Sequence, residues 1–286
     1  MSAQILDGKV ISERVRSEVK LRAEAFEQKH GRKAGLEVVL VGDDPASHAY
    51  VASKEKQSLQ VGLRGVVHRL PANVSQAELL QKLRELNLDP TVDGVLVQLP
   101  LPRGLDPELI VHAIDPRKDV DGLHPFNAGL LATGGQGLRP CTPTGCMRML
   151  EETGISLEGK RAIVIGRSNL VGKPIALMLL EQSCTVTMAH SRTLDLDQRV
   201  YESDIVIAAV GVPELVRGHW IKQGAVVIDV GINRVADKKL VGDVDFQGAK
   251  ERASWITPVP GGVGLMTVAM LLSNTLEAAE RRLAGS

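Results

Sequence analysis

Cysteine is scarce in this 286-residue chain, which holds only Cys141, Cys146 and Cys184. The odd number, the lack of a C-x-x-C pair and the absence of any zinc-like spacing argue against a disulfide framework or a cysteine-built metal site. They point instead to a reducing compartment. No basic-then-apolar leader is present, since Met1 to Leu6 runs straight into Asp7-Gly8-Lys9, and a cytoplasmic protein is expected. No apolar run approaches the roughly 18 residues needed to cross a bilayer, so no membrane partner is expected. Excess charge is lacking too: Lys plus Arg and Asp plus Glu number 34 each. Without a basic surplus or a run of like charges, nucleic acid is not an expected partner, although a small anion can still meet a local positive field. The seven histidines show no H-E-x-x-H spacing, and no G-x-S-x-G elbow occurs. Neither a bound metal nor acyl-transfer chemistry is expected. Internal repeats and low-complexity segments are absent.

What is present reads as an ordinary soluble protein, 44% apolar and 24% charged, long enough for two compact α/β lobes. Charged residues alternate with Val10, Ile11, Val15, Val19 and Leu21, predicting a surface helix from Gly8 to Lys29. A buried strand follows over Leu36–Val41. Asp44-Pro45 then opens a helix that runs to Val61 and stops at Gly62, with Asp as the cap and Pro in the first turn. A strand at Gly65–Leu70, a helix at Ser75–Leu86 and a strand at Gly94–Gln98 complete a βαβαβ series, which implies a parallel sheet. A Gly- and Pro-rich passage from Asp115 to Pro143 separates a second lobe. Its expected elements are a helix from Cys141 to Glu152, the strand Arg161–Gly166 and a helix at Lys173–Gln182. Strands at Thr185–Ala189, Asp204–Val210 and Ala225–Val230 and a C-terminal helix from Met266 to Leu283 follow. The expected class is α/β in two lobes with a cleft between them, an N-terminal catalytic domain and a Rossmann-like dinucleotide-binding domain. The expected boundaries are 1–139, completed by 266–286, and 140–265.

The strand ending at Ile165 runs into Gly166-Arg167-Ser168-Asn169-Leu170-Val171-Gly172-Lys173-Pro174 and then a helix. Glycine permits the tight turn, and a helix N-terminus offers N–H groups and partial positive charge to a pyrophosphate. The letters depart from the dinucleotide fingerprint, with Ser168 where a second glycine is usual and the last glycine at 172. On the glycines alone a plain βα turn fits as well; the order strand, loop, helix favours a dinucleotide. The next strand ends in His190-Ser191-Arg192-Thr193, with no acid before Asp195. A carboxylate there would hold a ribose 2′-hydroxyl, whereas Arg192, Arg167 and Ser191 suit a 2′-phosphate. NADP is the expected cofactor.

On the Pro45–Val61 helix, Tyr50 and Lys54 are four apart and share a face, while Lys56 points about 160° away from Lys54. Taken alone this pair also describes a surface lysine lying beside a ring. Its placement adds weight, because the helix begins just past the carboxyl end of a parallel strand, where ligands of open α/β sheets bind. Gln98 ends another strand of the same sheet. An ammonium beside a neutral amide in a partly dry site can have its pKa lowered toward the range useful for proton transfer. Asp121 lies in the turn-rich Asp115–Gly122 segment, where turn chemistry is one reading and binding of a ligand with adjacent N–H donors is another.

Together these motifs resemble the bifunctional methylenetetrahydrofolate dehydrogenase/methenyltetrahydrofolate cyclohydrolase family. The likeness spans Gly42–Ser47 with Tyr50 and Lys54, Asp93–Pro102, Lys118–Gly122, Pro140–Pro143, Gly166–Ser168 with Val171–Pro174, and Pro258–Gly264. The resemblance implies oxidation of 5,10-methylenetetrahydrofolate with NADP, then hydrolysis of the methenyl product to 10-formyltetrahydrofolate. It implies that Lys54 assists proton movement as water adds, that Gln98 tunes it, that Tyr50 stacks on the folate, and that Asp121 binds the pterin. Pro258, Gly261 and Gly262 are expected at the substrate, and Gly211 and Ile232 join Gly166, Arg167, Ser168, Gly172, Ser191 and Arg192 at the cofactor. Tetrahydrofolate one-carbon derivatives are the expected substrates, and a homodimer joined through the cofactor domain is expected. An NAD-dependent, dehydrogenase-only relative, a non-catalytic dinucleotide sensor and a shikimate- or malate-type dehydrogenase are the competing readings.

One departure is visible. The family pattern places a proline where this chain has Leu265, and losing it frees the backbone near the start of a helix. Leu265→Pro is therefore expected to change substrate affinity or loop rigidity; unchanged kinetics together with an unchanged melting temperature would remove the idea.

Overall fold

In a computed structural model of the chain, residues 2–235 and 239–284 are described. The chain divides into two compact units, one of Arg14–Cys141 with Met270–Ser286, the other of Met1–Glu13 with Thr142–Ala269. The elements run β1 (Gln4–Ile5), α1 (Gly8–His30), β2 (Gly35–Val41), α2 (Pro45–Gln60), β3 (Arg64–Leu70), α3 (Gln76–Leu88) and β4 (Gly94–Val97). Next come α4 (Pro107–His112), α5 (Pro125–Ala132), α6 (Cys141–Glu151), β5 (Arg161–Ile165), α7 (Gly172–Glu181), β6 (Thr185–Ala189), α8 (Leu196–Tyr201) and β7 (Ile205–Ala208). The chain closes with β8 (Val226–Asp229), β9 (Asn233–Arg234), β10 (Leu240–Val241), α9 (Phe246–Lys250), β11 (Trp255–Ile256) and α10 (Val263–Ala284).

The unit that holds α2 is built on a three-stranded sheet in the order β3-β2-β4, parallel throughout. Central β2 is buried along its whole length, as a strand covered on both faces must be. Val39, Val41, Leu79, Leu83, Val95, Val97 and Ile110 join in one of its cores. α3 starts with a capping box, in which Ser75 and Glu78 satisfy each other's backbone N–H groups. Its other end is closed by a buried lysine. Lys118 Nζ donates to the carbonyls of Leu86 (3.0 Å), Asn87 (2.7 Å) and Asp89 (2.7 Å), taking up acceptors that a helix end leaves unpaired. The buried carboxylate of Asp93 is held by both guanidinium nitrogens of Arg32 and by Arg282 of α10, so the last turns of α10 are fastened here.

The second unit carries a six-stranded sheet in the order β1-β11-β8-β7-β5-β6, again parallel throughout. Its core gathers Ile163, Ile165, Val206, Ala208, Val227 and Ile256 around the central strands. β9 and β10 form a small antiparallel pair. Residues 1–13 group with this unit and not with the rest of 1–139, because Gln4 and Ile5 pair with Trp255 and Ile256. A two-residue strand has too little alternation to be read from sequence. The passage taken as a separator also contains α5, whose first turn carries Pro125 under a His124 cap. α10 begins at Val263, three residues before the expected Met266. Leu265 thus lies in its first turn and donates its N–H to the Gly262 carbonyl at 3.2 Å, a bond that proline would lack. Among the described residues no helix is long and apolar enough to cross a membrane.

Replacing Lys118 by Met keeps the apolar stem and removes all three hydrogen bonds. Leaving those carbonyls unpaired is expected to cost about 2–3 kcal/mol, read as a lower urea midpoint; a midpoint equal to wild type would show that water replaces the ammonium.

Candidate active site

Parallel pairing brings the carboxyl ends of β2 and β4 side by side, and the first functional cluster forms there. Gly42, with φ +82°, turns the chain out of β2. Asp44 then caps α2 by accepting from the Ser47 N–H and hydroxyl, each at 2.8 Å. The cap and Pro45 set where the helix starts, and so where Lys54 arrives ten residues later. Its Nζ donates to Gln98 Oε1 at 2.9 Å, one residue past the end of β4. The orientation of that amide is determined: Gln98 Nε2 donates to the Leu99 carbonyl at 2.7 Å, which leaves only the oxygen to face the lysine.

Asp121 reaches the same place by a different route. The segment before it lies alongside β4, bridged through Val95 and Asp119 in parallel register, with the Val95 N–H donating to the Lys118 carbonyl. Asp119 fixes the turn by accepting from the His124 N–H and from Asn127 Nδ2. Gly122 is required at the next position. Its φ is +72°, and a Cβ there would fall 2.4 Å from the Arg139 carbonyl carbon. The Cys141 thiol donates to the Val120 carbonyl. Asn274 of α10 donates to the carbonyls of Val120 and Arg139, each at 2.8 Å, and closes the arrangement.

These neighbours set the charges. Burial pulls the Lys54 ammonium below its ordinary pKa, opposed by the negative field of Asp121. Burial raises Asp121, with Lys54 opposing and Asp119 adding to the rise. The Cys141 thiol is pushed well up by burial and by Asp121, so it stays protonated. The cluster therefore presents an amine that deprotonates more easily than an exposed lysine, a neutral amide oriented to accept from it, and a carboxylate. Tyr50, one turn earlier on α2, is 54% exposed, an aromatic face open to a ligand.

The other predicted residues sit at the carboxyl ends of the six-stranded sheet. Gly166 has φ +124°, and a Cβ there would lie 2.2 Å from the Ala209 carbonyl oxygen. At Gly172 a Cβ would lie 2.3 Å from the Gly166 carbonyl oxygen, so the loop between β5 and α7 folds tightly only with glycine at both positions. Ser168 does more than replace a glycine: its Oγ accepts from the N–H groups of Val171 and Gly172 and so holds the loop against the start of α7. Arg167, at the loop, and Ser191 and Arg192, past β6, are exposed. Among the described residues no carboxylate pairs with either arginine. Two unpaired guanidinium groups and a free hydroxyl on adjacent strand ends form a donor set that suits a phosphorylated ligand. Gly211 and Ile232 are exposed beyond β7 and β8. Gly261 has φ +101°, and its carbonyl accepts the Gly8 N–H at 2.9 Å.

Two family models match the chain. The catalytic domain of tetrahydrofolate dehydrogenase/cyclohydrolase matches residues 6–121, and the NAD(P)-binding domain of the same enzymes matches residues 140–283. The chain belongs to the tetrahydrofolate dehydrogenase/cyclohydrolase family. A bifunctional protein FolD of Sorangium cellulosum is 57% identical over 285 residues, covering 99% of each chain. The crystal structure of bifunctional FolD from Campylobacter jejuni superposes with a TM-score of 0.95 at 46% identity, covering 98% of this chain and 100% of the other. The Trypanosoma brucei methylenetetrahydrofolate dehydrogenase-cyclohydrolase, solved with NADP cofactor and an inhibitor, gives 0.94 at 40% identity, with 99% of each chain covered.

Within this tetrahydrofolate dehydrogenase/cyclohydrolase, the sequence reading gave no chemical role to Cys141 or Asn274. Cys141 lay inside a noted motif, but nothing in its spacing pointed at Asp121. Asn274 sits in a polar Ser273-Asn274-Thr275 step within the apolar half of α10, but its partners lie 154 and 135 residues away.

Since the Asp121 charge supports the Lys54 ammonium, Asp121→Asn is expected to lower the lysine pKa further. Competitive acylation of Lys54 as a function of pH reads this directly, with the midpoint moving to lower pH. A midpoint that stays in place or rises contradicts the coupling.

Proposed function

We propose that this chain oxidises 5,10-methylenetetrahydrofolate to the methenyl form with NADP and then hydrolyses that product to 10-formyltetrahydrofolate. The observation that carries the reading is the Lys54–Gln98 hydrogen bond beside Asp121. In the oxidation a hydride leaves the methylene carbon, and NADP, when bound, accepts it. That step needs alignment more than acid–base help. Tyr50 supplies a stacking face for the folate and Asp121 an acceptor for the pterin N–H groups. The resemblance to the family assigns Pro258, Gly261 and Gly262 to substrate binding as well.

In the hydrolysis, water adds to the cationic methenyl carbon and must lose a proton as the new C–O bond forms. Lys54, with its pKa lowered by burial, accepts that proton as the free amine. It then returns one to the ring nitrogen as the C–N bond opens, while the added hydroxyl gives up its remaining proton to solvent and becomes the carbonyl of the formyl group left on the other nitrogen. Gln98 Oε1 accepts from Nζ in both protonation states and keeps the side chain aimed. NADP over NAD is supported by the chemistry past β6, where Ser191 and Arg192 stand exposed with no acid before Asp195. We assign Gly166, Arg167, Ser168, Gly172, Ser191, Arg192, Gly211 and Ile232 to the cofactor. A cytoplasmic homodimer joined through the six-stranded unit is consistent with β6, an edge strand with Thr187 and Met188 exposed.

The test supplies purified protein with NADP and 5,10-methylenetetrahydrofolate and follows NADPH and the methenyl intermediate together. Lys54→Met is expected to reduce methenyl hydrolysis by roughly 10²-fold or more, the scale of a lost acid–base group. Near wild-type hydrolysis in that variant would overturn the role of Lys54. Absence of NADPH formation by the wild type would overturn the oxidation.

A further inference from the structure

Two buried carboxylates lie one behind the other just past β7 and β8, and neither belongs to the cluster around Lys54. Asp229, the last residue of β8, accepts the N–H of Gly231 (3.0 Å) and the N–H of Asp243 (2.9 Å) on Oδ1, and that of Val244 (2.9 Å) on Oδ2. Asp243, itself fully buried, faces the opposite way. Its Oδ2 accepts the N–H groups of Val210 (2.6 Å) and Gly211 (2.9 Å), and its Oδ1 accepts the Val212 N–H (3.0 Å) and Asn233 Nδ2 (2.8 Å). No cation pairs with Asp243 among the described residues. Four neutral donors compensate its charge instead.

The packing leaves no room for a different arrangement. A Cβ on Gly231 would fall 2.2 Å from the Asp243 carboxyl carbon, and one on Gly242 would fall 1.8 Å from Asp229 Oδ2. Glycine is therefore needed at both positions for the two carboxylates to sit where they do. The segments that Asp243 holds are 210–212 and the residue after Ile232. They emerge from neighbouring parallel strands at the sheet edge where ligands bind. Both Gly211 and Ile232 are exposed, whereas the carboxylate behind them is not. A charged acceptor buried beneath two exposed loops, with every donor taken from those loops, fixes their backbone before any ligand arrives.

We propose that Asp243 is a positioning residue for the dinucleotide: it pre-organises Val210–Val212 and Asn233, so that the loops carrying Gly211 and Ile232 meet the cofactor without paying an ordering cost. The proposal rests on the reading that this edge binds the dinucleotide, and it deepens that reading by naming what holds the loops in place. Asp243 touches no substrate in this role; it acts through backbone N–H groups.

The informative variant is Asp243→Asn, which keeps size and shape. Turned one way, its NH₂ group faces the N–H groups of Val210 and Gly211; turned the other way, it faces that of Val212, so at least one acceptor contact becomes repulsive. Dehydrogenase kinetics with varied NADP are compared with hydrolysis of added 5,10-methenyltetrahydrofolate in the absence of dinucleotide. NADPH binding is followed by its fluorescence. Expected are a rise of about tenfold or more in the KM for NADP and in the NADPH dissociation constant, from the loss of charge-assisted bonds. Hydrolysis should stay within about twofold of wild type, since it calls on no cofactor loop. An unchanged KM and dissociation constant overturn the proposal, and so does a parallel fall of both activities, which marks a merely structural role. If Asp243→Asn does not fold, Asn233→Ala serves in its place. It removes one donor and leaves the carboxylate, and about a threefold rise in the same two constants is expected; no rise overturns the proposal. A wild type that forms no NADPH at all contradicts the proposed activity instead, and that outcome is separate from either variant result.

Discussion

Parallel strand pairing is the constraint from which the rest of this molecule follows. In both sheets every principal ladder is parallel, so within each sheet every strand delivers the residue after it to the same edge of that sheet. Gln98 after β4, Gly42 and the start of α2 after β2, Gly166 after β5, and Ser191 and Arg192 after β6 are edge residues for this one reason. Residues far apart in sequence become neighbours without any one of them being selected for long-range contact. The cost of a parallel sheet is that each return needs a crossover, and those crossovers supply the helices that carry Tyr50 and Lys54.

The chemistry of the Lys54 cluster depends on a balance between burial and one nearby charge. Burial alone would drive the ammonium far toward the neutral amine, and a close ion pair alone would hold it protonated. Here burial is the larger influence and Asp121 moderates it. Gln98 orients the nitrogen without adding charge. Burial keeps the neighbouring Cys141 protonated, so it adds no charge to the site. A second carboxylate in its place would strengthen the field on Lys54 and work against the free amine.

The same solution, a buried acid satisfied by backbone donors, recurs in the six-stranded unit at Asp229 and Asp243. Each carboxylate takes N–H groups that loops leave unpaired, and the glycines beside them make the close approach possible. Asp93 in the other unit is the contrasting case, since it is compensated by two arginines and ties the end of α10 to the loop before β2. Neutral donors suit a loop that must present itself to a ligand. Ion pairs suit a joint between helices.

Much of this was legible in the residue order. Asp44-Pro45 and Ser75 mark their helix starts because capping is a local interaction within four residues. The run of β2, apolar from Leu36 to Val41 but for Glu37, reveals a strand covered on both faces, and the spacing of Tyr50 and Lys54 follows from helix geometry alone. Other features were not legible. β1 is two residues long and exists only through its pairing with β11. α5 lies in a passage whose prolines and glycines suggested a linker, and Asn274 and Cys141 acquire partners only across long separations. The sequence by itself determined most element types and the family, and it singled out Lys54 as a candidate, because those depend on local periodicity and on motif order. Tertiary structure alone decided the lowered pKa of Lys54, the orientation of Gln98 and the buried hydrogen bonding of Asp243. Each of these depends on desolvation and on neighbours that only the folded chain brings within hydrogen-bonding distance.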